Sequence, residues 1–199
     1  MNLSRLFEIQ KVLDNRIMDE HPELKGQDNL DWKVLALQVE LGECANEWRG
    51  FKKWSHDQEP RVTTNCSICD GEGGWTNDAG FHPCETCWGI GKHGNPLLEE
   101  YVDCLHFILS IGISLGYEFK ELMLPSGWKR TGDTPPLTEF FSLLISEVIR
   151  LRDCDENEYM VCVYSFIELG LELGFTLEQI KEAYMKKNKV NHQRQEEGY

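Results

Sequence analysis

Apolar residues at Leu3, Leu6, Ile9, Leu13 and Ile17 recur every three or four positions, the period of one helix face, and predict a helix over 3–18. Asn29 or Asp31 can cap a second helix. Its apolar positions Val34, Leu35, Leu37, Val39 and Leu41 lead through Ala45 to Trp48 and Phe51, with an end expected in the stretch Trp54-Ser55-His56. The pattern then stops: residues 57–94 are rich in glycine and poor in aliphatic side chains, and no helix of useful length fits them. Asn95 as cap and Pro96 in the first turn restart it, for a helix over 97–115. Turn signals follow at Pro125-Ser126-Gly127 and Thr131-Gly132-Asp133. Pro135 and Pro136 then open a helix over 137–152, and another covers 157–173. Thr176 with Gln179 reads as a capping box for a last helix to His192.

The stretch Ile111-Gly112-Ile113-Ser114-Leu115-Gly116-Tyr117 is echoed by Leu169-Gly170-Leu171-Glu172-Leu173-Gly174-Phe175. Each copy ends an apolar helix at a glycine suited to a C-cap. Two helices that merely end alike would give this, and so would a duplicated helical hairpin. The fold class is all-α, a helical bundle, with residues 1–56 and 95–199 forming the helical domain and 57–94 a small inserted module.

Composition narrows the partners. Of 199 residues, 41% are hydrophobic and 27% charged, which places the chain among globular proteins. Acidic residues outnumber basic ones 34 to 20, for a net charge of −14, so the surface as a whole repels nucleic acid and anionic membranes and suits bound divalent cations. No apolar run reaches the length of a membrane span, and the N-terminus has no signal-peptide pattern. Four of the eight cysteines lie in two Cys-x-x-Cys pairs and the rest stand alone in helical stretches, the arrangement of a metal site and buried thiols in a reducing, cytoplasmic compartment.

The inserted module carries Cys66-Ser-Ile-Cys69-Asp-Gly71-Glu-Gly73 and Cys84-Glu-Thr-Cys87-Trp-Gly89-Ile-Gly91. Two residues between cysteines let both thiolates meet one ion in a tight turn, and the glycines let backbone amides approach sulfur. Four thiolates from Cys66, Cys69, Cys84 and Cys87 select a structural Zn²⁺. The segment resembles half of the cysteine-rich zinc module of DnaJ-type co-chaperones. A module this small has little core, so the metal would supply most of its folding energy.

In the second helix Glu40, Glu43 and Glu47 are spaced i, i+3, i+7 and share one face, beside the core-type residues Leu37, Leu41, Cys44 and Ala45. Glu100 and Asp103 repeat the spacing on the first helix after the insertion, just before the apolar run from Cys104. Two antiparallel helices carrying Glu-x-x-Glu and Glu-x-x-Asp can bring four carboxylates onto one or two Mg²⁺ ions, hard cations that prefer oxygen.

Glu-x-x-Glu followed by Glu-x-x-Asp resembles the all-α nucleoside triphosphate pyrophosphatases, the superfamily of the MazG proteins and the dimeric dUTPases. The closing residues Lys187-Asn188-Lys-Val-Asn191-His-Gln-Arg194-Gln195-Glu-Glu-Gly198-Tyr199 resemble the last motif of the dimeric dUTPases. The stretch His106-Phe-Ile-Leu-Ser110 is similar too, as is Gln10 with Asp14, where that family usually has Gln and Asn. The resemblance spans both ends and the centre and leaves out the zinc module. It implies a homodimer and hydrolysis of dUTP, and of dUDP, to dUMP. Glu40, Glu43, Glu100 and Asp103 would hold Mg²⁺, with Glu40 or Glu43 orienting or deprotonating the attacking water. Lys187, Arg194 and Tyr199 would meet phosphate, and Gln10, Asp14, Asn188 and Asn191 the base. Phe51 and Trp54 are candidates for stacking on the base or for core. Only Val190 in the closing segment reads as a core position, and that segment is expected to order over bound nucleotide. A pyrophosphatase of the same fold acting on dCTP, and a protein-binding role for the zinc module, are the alternatives.

Overall fold

The computed structural model describes residues 1–117, 123–124 and 134–198. Among them six helices form: α1 (Leu3–Glu20), α2 (Leu30–Trp48), α3 (Pro96–Ser114), α4 (Leu137–Arg150), α5 (Glu156–Glu172) and α6 (Leu177–Glu196). The fold is all-α, as the apolar periodicity predicts. Turn signals at 125–127 and 131–133 lie outside the described residues.

Local chemistry sets the helix starts. Asn2 and Asn95 accept the Arg5 and Leu98 backbone N–H groups, and Asp155 with Glu158 and Thr176 with Gln179 close full capping boxes. Two ends differ from expectation. Helix α2 stops at Trp48, short of Trp54, because Arg49 turns left-handed (φ 66°) and Gly50 follows under the Trp48 ring, where a Cβ would lie 2.4 Å from the indole. Helix α6 runs past His192 to Glu196, since no glycine or proline interrupts it before Gly198.

Helices α2 and α3 form an antiparallel hairpin against which α1 and α6 pack on one side and α4 and α5 on the other. The apolar residues of α2 divide accordingly. Val34, Leu37, Leu41 and Cys44 are core, while Leu35 and Val39 are exposed. The internal repeat has a structural counterpart. Tyr101 Oη donates to Phe166 O (3.0 Å) and Tyr159 Oη to Ile108 O (2.9 Å), a reciprocal pair between equivalent positions of α3 and α5. Each phenol lies over the other helix's glycine: a Cβ at Gly112 would fall 2.3 Å from Tyr159 Oη, and one at Gly170 2.5 Å from Tyr101 Oη. These contacts favour the duplicated-hairpin reading, because two helices that only ended alike would not exchange matching bonds.

The segment between α2 and α3 folds into two small antiparallel ladders. They are β1 (Thr64–Asn65) with β4 (Lys92–His93), and β2 (Gly74–Asn77) with β3 (Gly80–Pro83). Its base is tied to both acidic helices. Arg61 N donates to Glu47 O (3.0 Å), Leu97 N to Arg61 O (3.1 Å), and the Arg61 guanidinium lies 3.2 Å from the Glu47 carboxylate. Glu47 is thereby neutralised, which lets a third carboxylate stand in the same row as Glu40 and Glu43. Among the described residues no single helix is long and apolar enough to cross a membrane.

Candidate active site

The acidic end of the α2–α3 hairpin brings Glu40, Glu43 and Glu100 together, with carboxylate oxygens all within 4.8 Å of one another. Burial, and next the negative charge of Asp103 and Glu43, pushes the Glu40 and Glu100 carboxyls up to about 7. Three carboxyls at this spacing, two of them reluctant to ionise, form the donor set that a hard divalent cation neutralises. Asp103, one turn further along α3, faces Lys187 of α6 at 2.5 Å. Its carboxyl is raised by burial and held back by that ammonium.

Glu40 and Asp103 stand at one end of a cavity of about 330 Å³ lined by α1, α2, α3 and α6. Lys187, Asn191 and Arg194 of α6 line it too, so two cations share the cavity with the carboxylates, Lys187 in direct contact with Asp103. The closing residues are therefore not a separate arm, because those up to Glu196 continue α6. Within them burial is the reverse of the expected pattern: Asn188 is 6% exposed and Val190 38%. The Asn188 amide turns inward beside Tyr184 and, unlike Asn191, does not line the cavity. Asn188 Nδ2 has no hydrogen-bond partner among the described residues.

Deeper in the cavity a buried polar network links three helices. Gln10 Nε2 donates to Asp14 Oδ1 (2.7 Å), and Ser110 Oγ to Asp14 Oδ2 (2.6 Å). A carboxylate only accepts, so the Gln10 amide nitrogen must face it and Gln10 Oε1 must face the other way. That oxygen takes Tyr184 Oη–H (2.8 Å) and His106 Nδ1–H (2.7 Å). The His106 ring stacks on Tyr184, 4.3 Å between centroids. Burial, and then nearby Lys187, holds the imidazole down to about 3, so it is neutral near pH 7 and its proton is on Nδ1. His106 Nε2 is left as a bare acceptor with no partner among the described residues.

Gln10, Asp14, Asn191, Lys187, Arg194, Glu40 and Asp103 thus meet at one cavity. Phe51 and Trp54 do not line it; they pack edge to face with each other after α2 (5.7 Å), and Trp54 is exposed. Tyr199 lies outside the described residues. Two further lining residues, Trp32 and Lys33, belong to none of the motifs read in the sequence. Lys33 carries a readable signal, since it stands seven positions before Glu40 and so on the same helix face.

A family profile described as dUTPase matches residues 2–67 and 88–199. The chain belongs to the dUTPase family. Among curated proteins none matches it. Its activity is that of a dUTP diphosphatase.

The stretch the dUTPase profile leaves unmatched, 68–87, holds Cys69, Cys84 and Cys87. These join Cys66 in a buried cluster with all four sulfurs within 4.8 Å of one another. Cys66 Sγ lies 3.9 Å from Cys84 Sγ and Cys69 Sγ 3.7 Å from Cys87 Sγ. Sulfurs tetrahedrally arranged at a Zn–S distance of ~2.3 Å would be ~3.8 Å apart, so the cluster has the dimensions of a four-thiolate zinc centre. The two knuckles lock reciprocally: Cys66 N donates to Gly91 O (2.8 Å) and Cys84 N to Gly73 O (2.7 Å). Gly73 and Gly91 both have φ 77°, and a Cβ on them would fall 2.4 Å from Gly89 O and 2.2 Å from Gly71 O. Backbone amides, first that of Cys87, draw the Cys84 thiol down to about 7, toward the thiolate a metal requires.

Proposed function

We propose that this dUTPase hydrolyses dUTP to dUMP and pyrophosphate, and dUDP to dUMP and phosphate, in a Mg²⁺-dependent reaction. The observation that carries this is the convergence of the Glu40, Glu43 and Glu100 carboxylates beside a cavity that Lys187 and Arg194 also line. Glu40, Glu43, Glu100 and Asp103 would hold the metal. When bound, it neutralises phosphate charge and acidifies water. Glu40 is the member of the cluster that also lines the cavity, which makes it the group to orient a water for attack on the phosphate chain and to take its proton. Lys187 and Arg194 bind the phosphates, balancing negative charge as it moves to the leaving group. Lys187 reaches them by leaving Asp103.

At the other end His106 Nε2 accepts the N3–H of uracil. Cytosine presents a lone pair there, and acceptor would face acceptor. Asn188 and Asn191 complete the base contacts from α6. Exposed apolar residues in the cleft between α2 and α4, namely Trp32, Leu35 and Ile149, support the homodimer that the family resemblance implies. The four-thiolate cluster and the lone thiols of Cys44, Cys104, Cys154 and Cys162 support a cytoplasmic setting.

A second role is favoured by the zinc module's surface, where Ile68, Trp75, Phe81, Trp88 and Ile90 are exposed. Such a patch on a rigid metal-held knuckle suits contact with a protein partner. The primary test is product release from dUTP, dUDP and dCTP with Mg²⁺ and with EDTA. Cleavage of both deoxyuridine nucleotides in Mg²⁺ alone is expected. Preference for dCTP, or full activity in EDTA, would overturn the reading. The partner role is tested with a chain in which a short glycine linker replaces 62–94. It should lose a protein partner that the full chain retains on a pulldown, and equal capture would remove the second role.

A further inference from the structure

We infer that Lys33 is a specificity-determining residue that donates a charged hydrogen bond to the 4-keto oxygen of the pyrimidine, so that the base end of the cavity accepts uracil and refuses cytosine. The inference rests on the dUTP reading above and extends it to a residue outside the motifs that carry the family resemblance.

Lys33 is 4% exposed, a rare state for a lysine, and it lines the cavity. Its ammonium carries three protons. One goes to Ser114 Oγ at 2.8 Å and a second faces Asp14 Oδ2 at 3.7 Å. The indole of Trp32 lies beneath it, 5.6 Å from the ring centre. No other described oxygen takes the third proton, and Lys33 is among the residues that line the cavity. Burial lowers the Lys33 pKa and Asp14 supports the charged form. A buried ammonium short of one acceptor gains most from a ligand oxygen placed there.

Position along the hairpin selects which oxygen. Lys33 precedes Glu40 by seven residues on α2, ~10 Å along the helix at 1.5 Å per residue. On antiparallel α3, His106 stands about one turn and Ser110 about two turns from Asp103. The order from the phosphate end is therefore carboxylates, then His106, then Lys33 with Ser110 and Ser114. In a deoxyuridine nucleotide the order from the phosphates is sugar, then N3–H, then the 4-keto group, which lies opposite the glycosidic bond. Superposing the two sequences sets His106 Nε2 at N3–H and Lys33 Nζ at the 4-keto oxygen. Cytosine fails both contacts, with a lone pair at N3 and an amino group at C4. Asp14 is the buried anion that holds the ammonium in place, which accounts for an acid at a position where the resembling family usually carries asparagine.

The test uses the full-length enzyme with Mg²⁺ and compares dUTP, dCTP and 4-thio-dUTP, which keeps N3–H and replaces the 4-keto oxygen with a poor acceptor. Wild type should prefer dUTP to 4-thio-dUTP by about tenfold or more in kcat/KM, the loss of one hydrogen bond to a charged group. In Lys33→Met that preference should collapse to within about twofold and dUTP-over-dCTP selectivity should fall about tenfold, through KM with kcat nearly kept. Since Met leaves Asp14 without its cation, Lys33→Met/Asp14→Asn repeats the measurement with the buried charges removed together. A purely structural lysine would lower stability and leave the 4-thio discrimination intact. Retention of that discrimination in either folded variant overturns the assignment while leaving the dUTP reading standing. A wild type that favours dCTP would defeat both.

Discussion

Replacing Gln10 by leucine removes the residue through which α1, α3 and α6 share one hydrogen-bond network. Three buried bonds vanish: to Asp14 (2.7 Å), from His106 (2.7 Å) and from Tyr184 (2.8 Å). Each is worth about 1 kcal/mol net, and a buried group left unpaired costs about 1–3 kcal/mol. Asp14 keeps Ser110, and Tyr184 Oη lies within 3.5 Å of Leu6 O, so His106 Nδ1–H is the group fully orphaned. Leucine fills much the same volume, so the cavity contribution is small. The expected loss is about 3–5 kcal/mol of unfolding free energy, read as a lower urea midpoint with an unchanged m-value. A functional consequence follows from the tautomer. Without Gln10 Oε1 the imidazole is free to carry its proton on Nε2, which turns an acceptor for uracil N3–H into a donor. KM for dUTP should rise by about tenfold or more while kcat changes little. A midpoint shift worth under about 1 kcal/mol, or an unchanged KM, would refute the proposed tautomer and its role.

Other consequences are as direct. Metal analysis should find one Zn²⁺ per chain, and Cys84→Ser should release it and unfold the module with the helical circular dichroism nearly kept; a metal-free protein with disulfides would contradict this. Glu40 and Glu100 titrate near 7 in the folded chain, above the ordinary 4.5, so protonation favours the metal-free fold. That stabilisation is fully present below about pH 4.5 and is lost as pH rises through about 7. The melting temperature in EDTA should fall across this window, and the fall should flatten on Glu40→Gln/Glu100→Gln or with Mg²⁺; a flat wild-type profile would count against the cluster. Truncation before Lys187 should abolish turnover, because it removes Lys187, Asn188, Asn191 and Arg194 together, while α1 to α5 stay helical; retained activity would exclude α6 from the site.

The elements legible in the sequence were those specified by neighbours. Asn95 before Pro96 and Thr176 before Gln179 announce helix starts because a cap acts within one turn. The row Glu40, Glu43, Glu47 was visible because it lies among core residues, and the cysteine knuckles because two copies of Cys-x-x-Cys-x-Gly-x-Gly supply the four ligands of one metal. The illegible features depend on distant partners. That Lys187 faces Asp103, or that Arg61 neutralises Glu47, is decided by which helices pack together. Val190 reads as the core position of the closing segment because periodicity assumes an apolar interior, while α6 buries Asn188 instead, beside the polar group of Tyr184. Lys33 passed unremarked because a lone lysine on a helix is commonly solvated, and its burial comes from Asp14 on α1 and Ser114 on α3.

The central claim is that the carboxylates of α2 and α3 form the catalytic metal site. The most direct measurement is pyrophosphate release from dUTP with Mg²⁺ by wild type and Glu43→Gln, with the melting temperature of each recorded. Removing one ligand should cost several kcal/mol of transition-state stabilisation, so the variant should turn over dUTP about a hundredfold more slowly or worse while staying folded. A folded Glu43→Gln enzyme working at near wild-type rate would contradict the account.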